Sequence, residues 1–149
     1  MTTEEYAIPG LKNILYIDLT SQTYSIKDRR DLYEKYLGGV GVATNLMLEE
    51  YVEGTGPLDP EMPIIFSTGP LSGVYPTCTK TVALFRSPHN GELGESYAGG
   101  HLAMSLRYSG YEQLSSKEHP NTLYTWQFMM IRLLSGTRLP YGIFLQQLM

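Results

Sequence analysis

The chain predicts an α+β fold, an antiparallel β-rich sheet with short helices and an atypical C-terminal tail. Three observations carry this prediction. Short β-rich runs stand at residues 13–19, 24–27, 64–68 and 81–85, separated by turn-forming residues. Two segments, 42–50 and 101–108, carry apolar residues at helical spacing. Beyond Leu114 the charge balance and the glycine content change together.

Taken in order, residues 1–12 form a polar arm with a Pro9-Gly10 break. The run NILYIDL then alternates as a strand, with Ile14, Tyr16 and Asp18 on one face, and a Thr-Ser-Gln-Thr turn leads to a second strand. Together they predict a hairpin. Asp28 or Asp31 can cap a short helix that ends at Leu37, before Gly38-Gly39. In the next segment Ala43, Leu46, Met47, Glu50 and Tyr51 recur at i, i+3, i+4 spacing, so residues 42–50 read as an amphipathic helix. Pro57 and Pro60 mark an exposed loop before the central strand.

That strand, Ile64-Ile65-Phe66 onward, stops at Gly69-Pro70, with a second turn at Ser72-Gly73. The β-rich run at 81–85 ends at Ser87-Pro88 and Asn90-Gly91. Gly94, Gly99 and Gly100 then read as a glycine-rich loop leading into the helix at 101–108. Two glycines before a helix let a ligand approach the backbone closely, and a helix N-terminus favours an anion. Tight turns in a small domain explain the same glycines.

The length suits one domain with a real core. A hydrophobic content of 42% with 17% charged residues is ordinary for a globular protein. A net charge of −4, without a basic stripe, argues against nucleic acid as a partner. No apolar run reaches the roughly 18 residues of a membrane span, and the acidic N-terminus lacks a secretory apolar region. A cytoplasmic protein is expected. One cysteine, Cys78, excludes an internal disulfide and an all-cysteine metal site.

No isolated motif establishes chemistry. Gly38-Gly39-Val40-Gly41 lacks the Gly-Lys-Ser/Thr ending of a P-loop and the spacing of a dinucleotide fingerprint. His89, His101 and His119 have no ligand-like spacing, and solvated or core histidines are the simpler reading. Cys78 beside Lys80 has a cation that would favour a thiolate, but no evident histidine partner. Glu92 and Glu95 suit an acid–base pair or, more simply, a solvated turn.

The order of the pieces says more. ILYIDLTSQTYSI, YLGGVGVATNLMLEE, PLDPEMPIIFSTGPLSGVYPTCTKTVALFRSP and SYAGGHLAMSLRYSGYE follow one another over residues 13–114. This succession closely resembles the start of the aldehyde ferredoxin oxidoreductase family. Those enzymes are much longer and carry a tungsten- or molybdenum-bis-pterin cofactor and one [4Fe-4S] cluster. They oxidise aldehydes to carboxylic acids with ferredoxin as electron acceptor. The resemblance implies that residues 13–114 are the N-terminal, pterin-binding domain, in incomplete form.

It also implies site residues. Gly38, Gly39 and Val40 would meet one pterin through backbone groups. Lys80 stands where many members have arginine and would pair with a cofactor phosphate as a point charge, without the bidentate fork. Tyr97, Ala98, Gly99 and Gly100 match the segment passing close to the cofactor and its bridging magnesium. Many members have asparagine at the place of Tyr97, a change that a backbone contact tolerates and a side-chain contact does not. The three groups are expected on three converging loops. The cluster needs about four thiolates, and this chain has one cysteine. The resemblance therefore implies no catalytic or metal-ligating residue here, and an isolated chain without activity. A non-catalytic scaffold binding pterin or a partner, or an inactive remnant, are the alternatives.

Residues 115–149 read as a separate tail. Residues 1–114 hold eight basic and fourteen acidic side chains, net −6, while residues 115–149 hold three and one, net +2. Glycines fall from thirteen to two. A frameshift near the codons for Leu114 to Lys117 accounts for all of this, leaving residues from Ser115 onward poorly packed, with a helix around 126–134. A genuine alternative C-terminus is the competing reading.

Overall fold

The computed structural model describes residues 12–21, 23–111 and 113–117. Six strands form one sheet: β1 (Asn13–Asp18), β2 (Thr23–Asp28), β3 (Pro63–Thr68), β4 (Thr81–Arg86), β5 (Leu93–Ala98) and β6 (Gln113–Lys117). Three helices accompany them: α1 (Arg30–Tyr36), α2 (Gly39–Glu50) and α3 (His101–Tyr108). The strand order is β2-β1-β6-β3-β4-β5. All neighbours are antiparallel except β1 and β6, which run parallel. The expected α+β class with an antiparallel sheet holds, and the one parallel junction involves β6, which is not among the four strands expected from the sequence.

Apolar residues on alternating positions give the sheet two covered faces. On one, Ile14, Ile65, Val82 and Leu84 pack with Leu32 and Tyr33 of α1 and Val42, Ala43, Leu46 and Met47 of α2. On the other, Leu15, Ile17 and Leu19 pack with Leu106 of α3, supported by Phe66 and Tyr111. Gly41 allows α1 and α2 to meet, since a Cβ there would lie 3.1 Å from the Tyr36 carbonyl oxygen and 3.3 Å from the Tyr36 Cβ.

Several boundaries differ from the sequence reading. Helix α2 starts at Gly39 rather than Val42, with Gly38, at φ 121°, as its N-cap and Gly39 still at φ 58°. For α1, Asp28 Oδ1 accepts the Arg30 N–H at 3.1 Å, just ahead of the N-cap Arg29. The stretch read as a glycine-rich loop is the edge strand β5, so Glu95 lies on a strand and not in a turn. Gly94 serves there as space: a Cβ would sit 2.8 Å from the Phe85 ring. The boundary drawn at Leu114 cuts through β6. Ser115, which that reading left poorly packed, is 2% exposed, and it pairs with Tyr16 on one side and Ile65 on the other. Register explains this, because it sets Ser115 between Tyr16 and Ile65, on the face that α1 and α2 cover. Of the expected arm at 1–12 only Lys12 is described, and the helix expected around 126–134 lies outside the described residues.

Two arginines tie the connections between elements together, Arg29 through ion pairs and Arg86 through hydrogen bonds to neutral acceptors. Arg29 makes a fork to Asp31 (3.0 and 2.9 Å) and another to Glu49 of α2 (2.6 and 2.9 Å). Arg86 donates to the Gly91 carbonyl at 2.7 Å, to the Thr55 carbonyl and to the Tyr51 hydroxyl at 3.4 Å.

Two stability predictions follow from these arrangements. Ser115→Pro removes an amide from a strand paired on both sides and is expected to cost about 3 kcal/mol or more, read as loss of the cooperative transition in denaturant. Arg29→Ala is expected to cost about 1–2 kcal/mol through lost forks and stem packing. The hydrogen bond from Arg29 holds the Asp31 carboxyl below its ordinary value of 3.8. That contribution is present above the ordinary carboxylate range and disappears as pH falls through the lowered value. The gap between wild type and Arg29→Ala should therefore narrow on acidification; a gap constant from neutral pH to pH 2 would refute the assignment.

Candidate functional site

Register gathers the expected residues at one end of the sheet. Thr68, the last residue of β3, pairs with Thr81, the first of β4, and Thr81 pairs with Ala98, the last of β5. Lys80 immediately precedes Thr81, Tyr97 faces Val82, and Gly99 and Gly100 follow Ala98. The Gly38–Val40 turn reaches the same place from α1. Ser67 Oγ donates to the Gly39 carbonyl at 2.9 Å, and a Cβ on Gly39 would lie 3.8 Å from the Gly69 Cα. All three groups thus meet along the rim formed by the ends of β3, β4 and β5.

They are not all loops. Gly39 and Val40 are the first two residues of α2, and Tyr97 and Ala98 the last two of β5. Val40 packs toward the core beside α1 and α2, so its backbone is the part available to a ligand. Tyr97 is exposed, and its hydroxyl donates to the Glu95 carboxylate, which pushes the phenol above its ordinary value.

Two helices begin at this rim, each behind a glycine that positive φ requires: Gly38 at 121° before α2 and Gly100 at 111° before α3. Neither start has a side-chain cap. The first-turn N–H groups of both helices therefore bring the positive ends of two helix dipoles to the same end of the sheet, α2 on one face and α3 on the other. Space accompanies them, since a Cβ on Gly69, Gly99 or Gly100 would meet nothing within 4 Å. Exposed apolar side chains border the rim: Leu37, at 74% exposure and φ 64°, Leu71, Val74 and Tyr75.

Sequence reasoning passed over three polar residues here. The Tyr33 and Thr81 hydroxyls are buried with no hydrogen-bond partner among the described residues, and burial pushes the Tyr33 phenol up. Arg107 of α3 packs under the β3–β4 loop, its Cγ 3.2 Å from where a Cβ on Gly73 would stand, and burial pulls its guanidinium down. Thr81 was counted only as a strand residue, because nothing in a linear sequence marks a hydroxyl as lacking a partner.

The rim suits a flat ligand with an anionic group: open glycine backbone, an apolar border, Lys80, and bare helix starts. Among the described residues no three His, Cys, Asp or Glu side chains are grouped to hold a metal ion. A groove of about 210 Å³ between β1, β2 and Glu50 lies at the opposite end of the sheet and shares no residue with the rim. No helix among the described residues is long and apolar enough to cross a membrane.

Comparison with known proteins identifies the family. The profile of the aldehyde ferredoxin oxidoreductase N-terminal domain matches residues 14–125. The tungsten-containing aldehyde ferredoxin oxidoreductase of Pyrococcus abyssi is 30% identical over 118 residues, covering 74% of this chain and 19% of that protein. The Pyrococcus furiosus enzyme of the same name is 33% identical over 85 residues, 56% of this chain and 14% of that one. An aliphatic sulfonate oxidoreductase, WOR-like subunit, of Pyrococcus furiosus is 32% identical over 111 residues, 72% of this chain and 17% of its own. Among solved structures, a chain of the active-site complex BamBC of benzoyl coenzyme A reductase, in complex with 1,5-dienoyl-CoA, matches with TM-score 0.68 and 27% identity. That match covers 72% of this chain and 17% of the other. The chain thus spans about a fifth or less of the relatives' length. With the profile of that N-terminal domain matching three quarters of its residues in one continuous stretch, the chain belongs to the aldehyde ferredoxin oxidoreductase family.

Proposed function

We propose that this chain is the cofactor-supporting base of an enzyme oxidising aldehydes to carboxylic acids with ferredoxin as electron acceptor. The observation that carries the reading is the convergence of Gly38–Val40, Lys80 and Tyr97–Gly100 on the β3–β4–β5 rim. A bis-pterin bound there would supply the two-electron redox chemistry through its tungsten or molybdenum. The chain's own residues would hold and orient it. Backbone groups at Gly39, Gly99 and Gly100 would approach its rings closely, Lys80 would neutralise a phosphate, and Leu71, Val74 and Tyr75 would keep water from its apolar edge.

A [4Fe-4S] cluster does not fit. One cysteine stands against the roughly four thiolates it requires, so the electron path to ferredoxin would need other polypeptide. The sulfonate-oxidoreductase relative, matched about as well as the aldehyde enzymes, favours a second reading of the substrate on the same cofactor base.

The test is a titration of the purified chain with released tungsten-pterin cofactor, followed by backbone amide resonances. Weak, reversible shifts confined to residues 38–40, 69, 80 and 97–101 are expected, and Lys80→Ala should weaken binding about tenfold by removing a charge-assisted hydrogen bond. Shifts scattered over both ends of the sheet would end the proposal. The isolated chain is expected to oxidise no aldehyde and to carry no stoichiometric iron; metal analysis returning about four irons per chain would contradict this.

A further inference from the structure

Of the two buried hydroxyls without a partner among the described residues, Thr81 is the one that register puts at the rim. It is 2% exposed, opens β4, and stands in register between Thr68 and Ala98. Val82 and Leu84 point into the core beneath α2, so Thr81 points to the opposite face. Phe66, paired with Ala83, identifies that face, since it packs with Leu106 of α3. Two residues beyond Ala98, the chain reaches Gly100 and α3 begins. The Thr81 hydroxyl therefore lies on the face, and at the end of the sheet, where α3 starts.

The hydroxyl and the helix start are complementary deficits. Thr81 Oγ is buried with no hydrogen-bond partner among the described residues, a costly state for a hydroxyl. Gly100 has no side chain with which to cap α3, and no side-chain cap forms there. Open space lies beside Gly69, Gly99 and Gly100. The hydroxyl and the helix start share one face and one end of the sheet, and both offer donors to a small group that only accepts hydrogen bonds.

We infer that Thr81 and the first turn of α3 form an oxyanion subsite. Thr81 Oγ donates to one phosphate oxygen and the α3 backbone N–H groups donate to others. The inference rests on the cofactor reading above for the source of the phosphate, and free phosphate is the alternative source with the same chemistry.

The test titrates the full chain, Thr81→Val and Thr81→Ser with inorganic phosphate. It follows the amide resonances of Gly99, Gly100 and His101, and the melting temperature. In wild type the three amides shift and saturate. Thr81→Val weakens the apparent affinity about tenfold, and Thr81→Ser retains it. Valine keeps the shape and removes the unpartnered hydroxyl, so without phosphate Thr81→Val melts above wild type, and its gain in melting temperature on adding phosphate shrinks. An equal phosphate response in wild type and Thr81→Val, or no shift at the three amides in wild type, overturns the inference. A second arm uses released tungsten-pterin cofactor. If phosphate binding depends on Thr81 but wild type takes up no cofactor, the subsite stands for free phosphate and the cofactor reading fails. If cofactor binds wild type and Thr81→Val equally, the subsite fails and the cofactor reading stands.

Discussion

The described sheet is two hairpin systems joined by one strand. β1 and β2 form one side, β3, β4 and β5 the other, and β6 stands between β1 and β3. Every ladder hydrogen bond between the two sides runs through Gln113–Lys117. Because β6 pairs parallel with β1 and antiparallel with β3, it also sets which ends of the two sides coincide. The first residues of β1 and β6 fall at the same end as the last of β3. That alignment brings α1, which follows β2, over the same end as α3, which follows β5. The Gly38 turn and the Gly100 turn both belong to the β3–β4–β5 side, the first through the Ser67–Gly39 hydrogen bond and the packing of α2 on β3 and β4, the second through β5; β6 adds β1 and β2 to them.

The candidate site inherits its order from this. Its residues are strand ends and helix starts, held by ladder pairs and by the Ser67–Gly39 hydrogen bond, so their spacing follows from register rather than loop conformation. The β3–β4 loop alone is irregular. It folds back on itself through Ser72, Val74, Tyr75 and Cys78 backbone bonds, contains Thr77 at φ 68°, and leans on Met104 and Arg107 of α3. A β-branched residue at positive φ is strained, and here the strain sits in the one rim segment not held by a ladder.

What was legible in the sequence depended on burial. β1, β3 and β4 were readable because Ile14, Leu15, Ile17, Ile65, Val82 and Leu84 alternate between covered faces. β5 was not, since an edge strand exposed along most of its length carries no apolar alternation, and Gly94 makes it look like a loop. β6 was hidden for a different reason. QLSSK owes its central place to backbone pairing, and a buried serine such as Ser115 leaves no mark in composition. The site residues were legible only as an ordered set of motifs resembling a family. Thr81 and Tyr33 were invisible, because an absent hydrogen-bond partner is a property of three dimensions.

Charge is distributed along the same axis as the site. α2 starts at the rim and runs about 18 Å to Glu49 and Glu50. The segment from there to β3 adds Glu53, Asp59 and Glu61, and Asp18 ends β1 at that far end. Lys80 and the N-terminal ends of α2 and α3 lie at the rim, where the Glu95 carboxylate accepts the Tyr97 hydroxyl. Among the described residues more carboxylates therefore gather at the far end than beside Lys80, and a field of this shape favours an anionic ligand at the rim over the far end. The acidic groove beside Asp18 and Glu50 is excluded as an anion site by the same separation. Fold and electrostatics select the same end of the sheet, although the first is set by backbone register and the second by where the carboxylates fall.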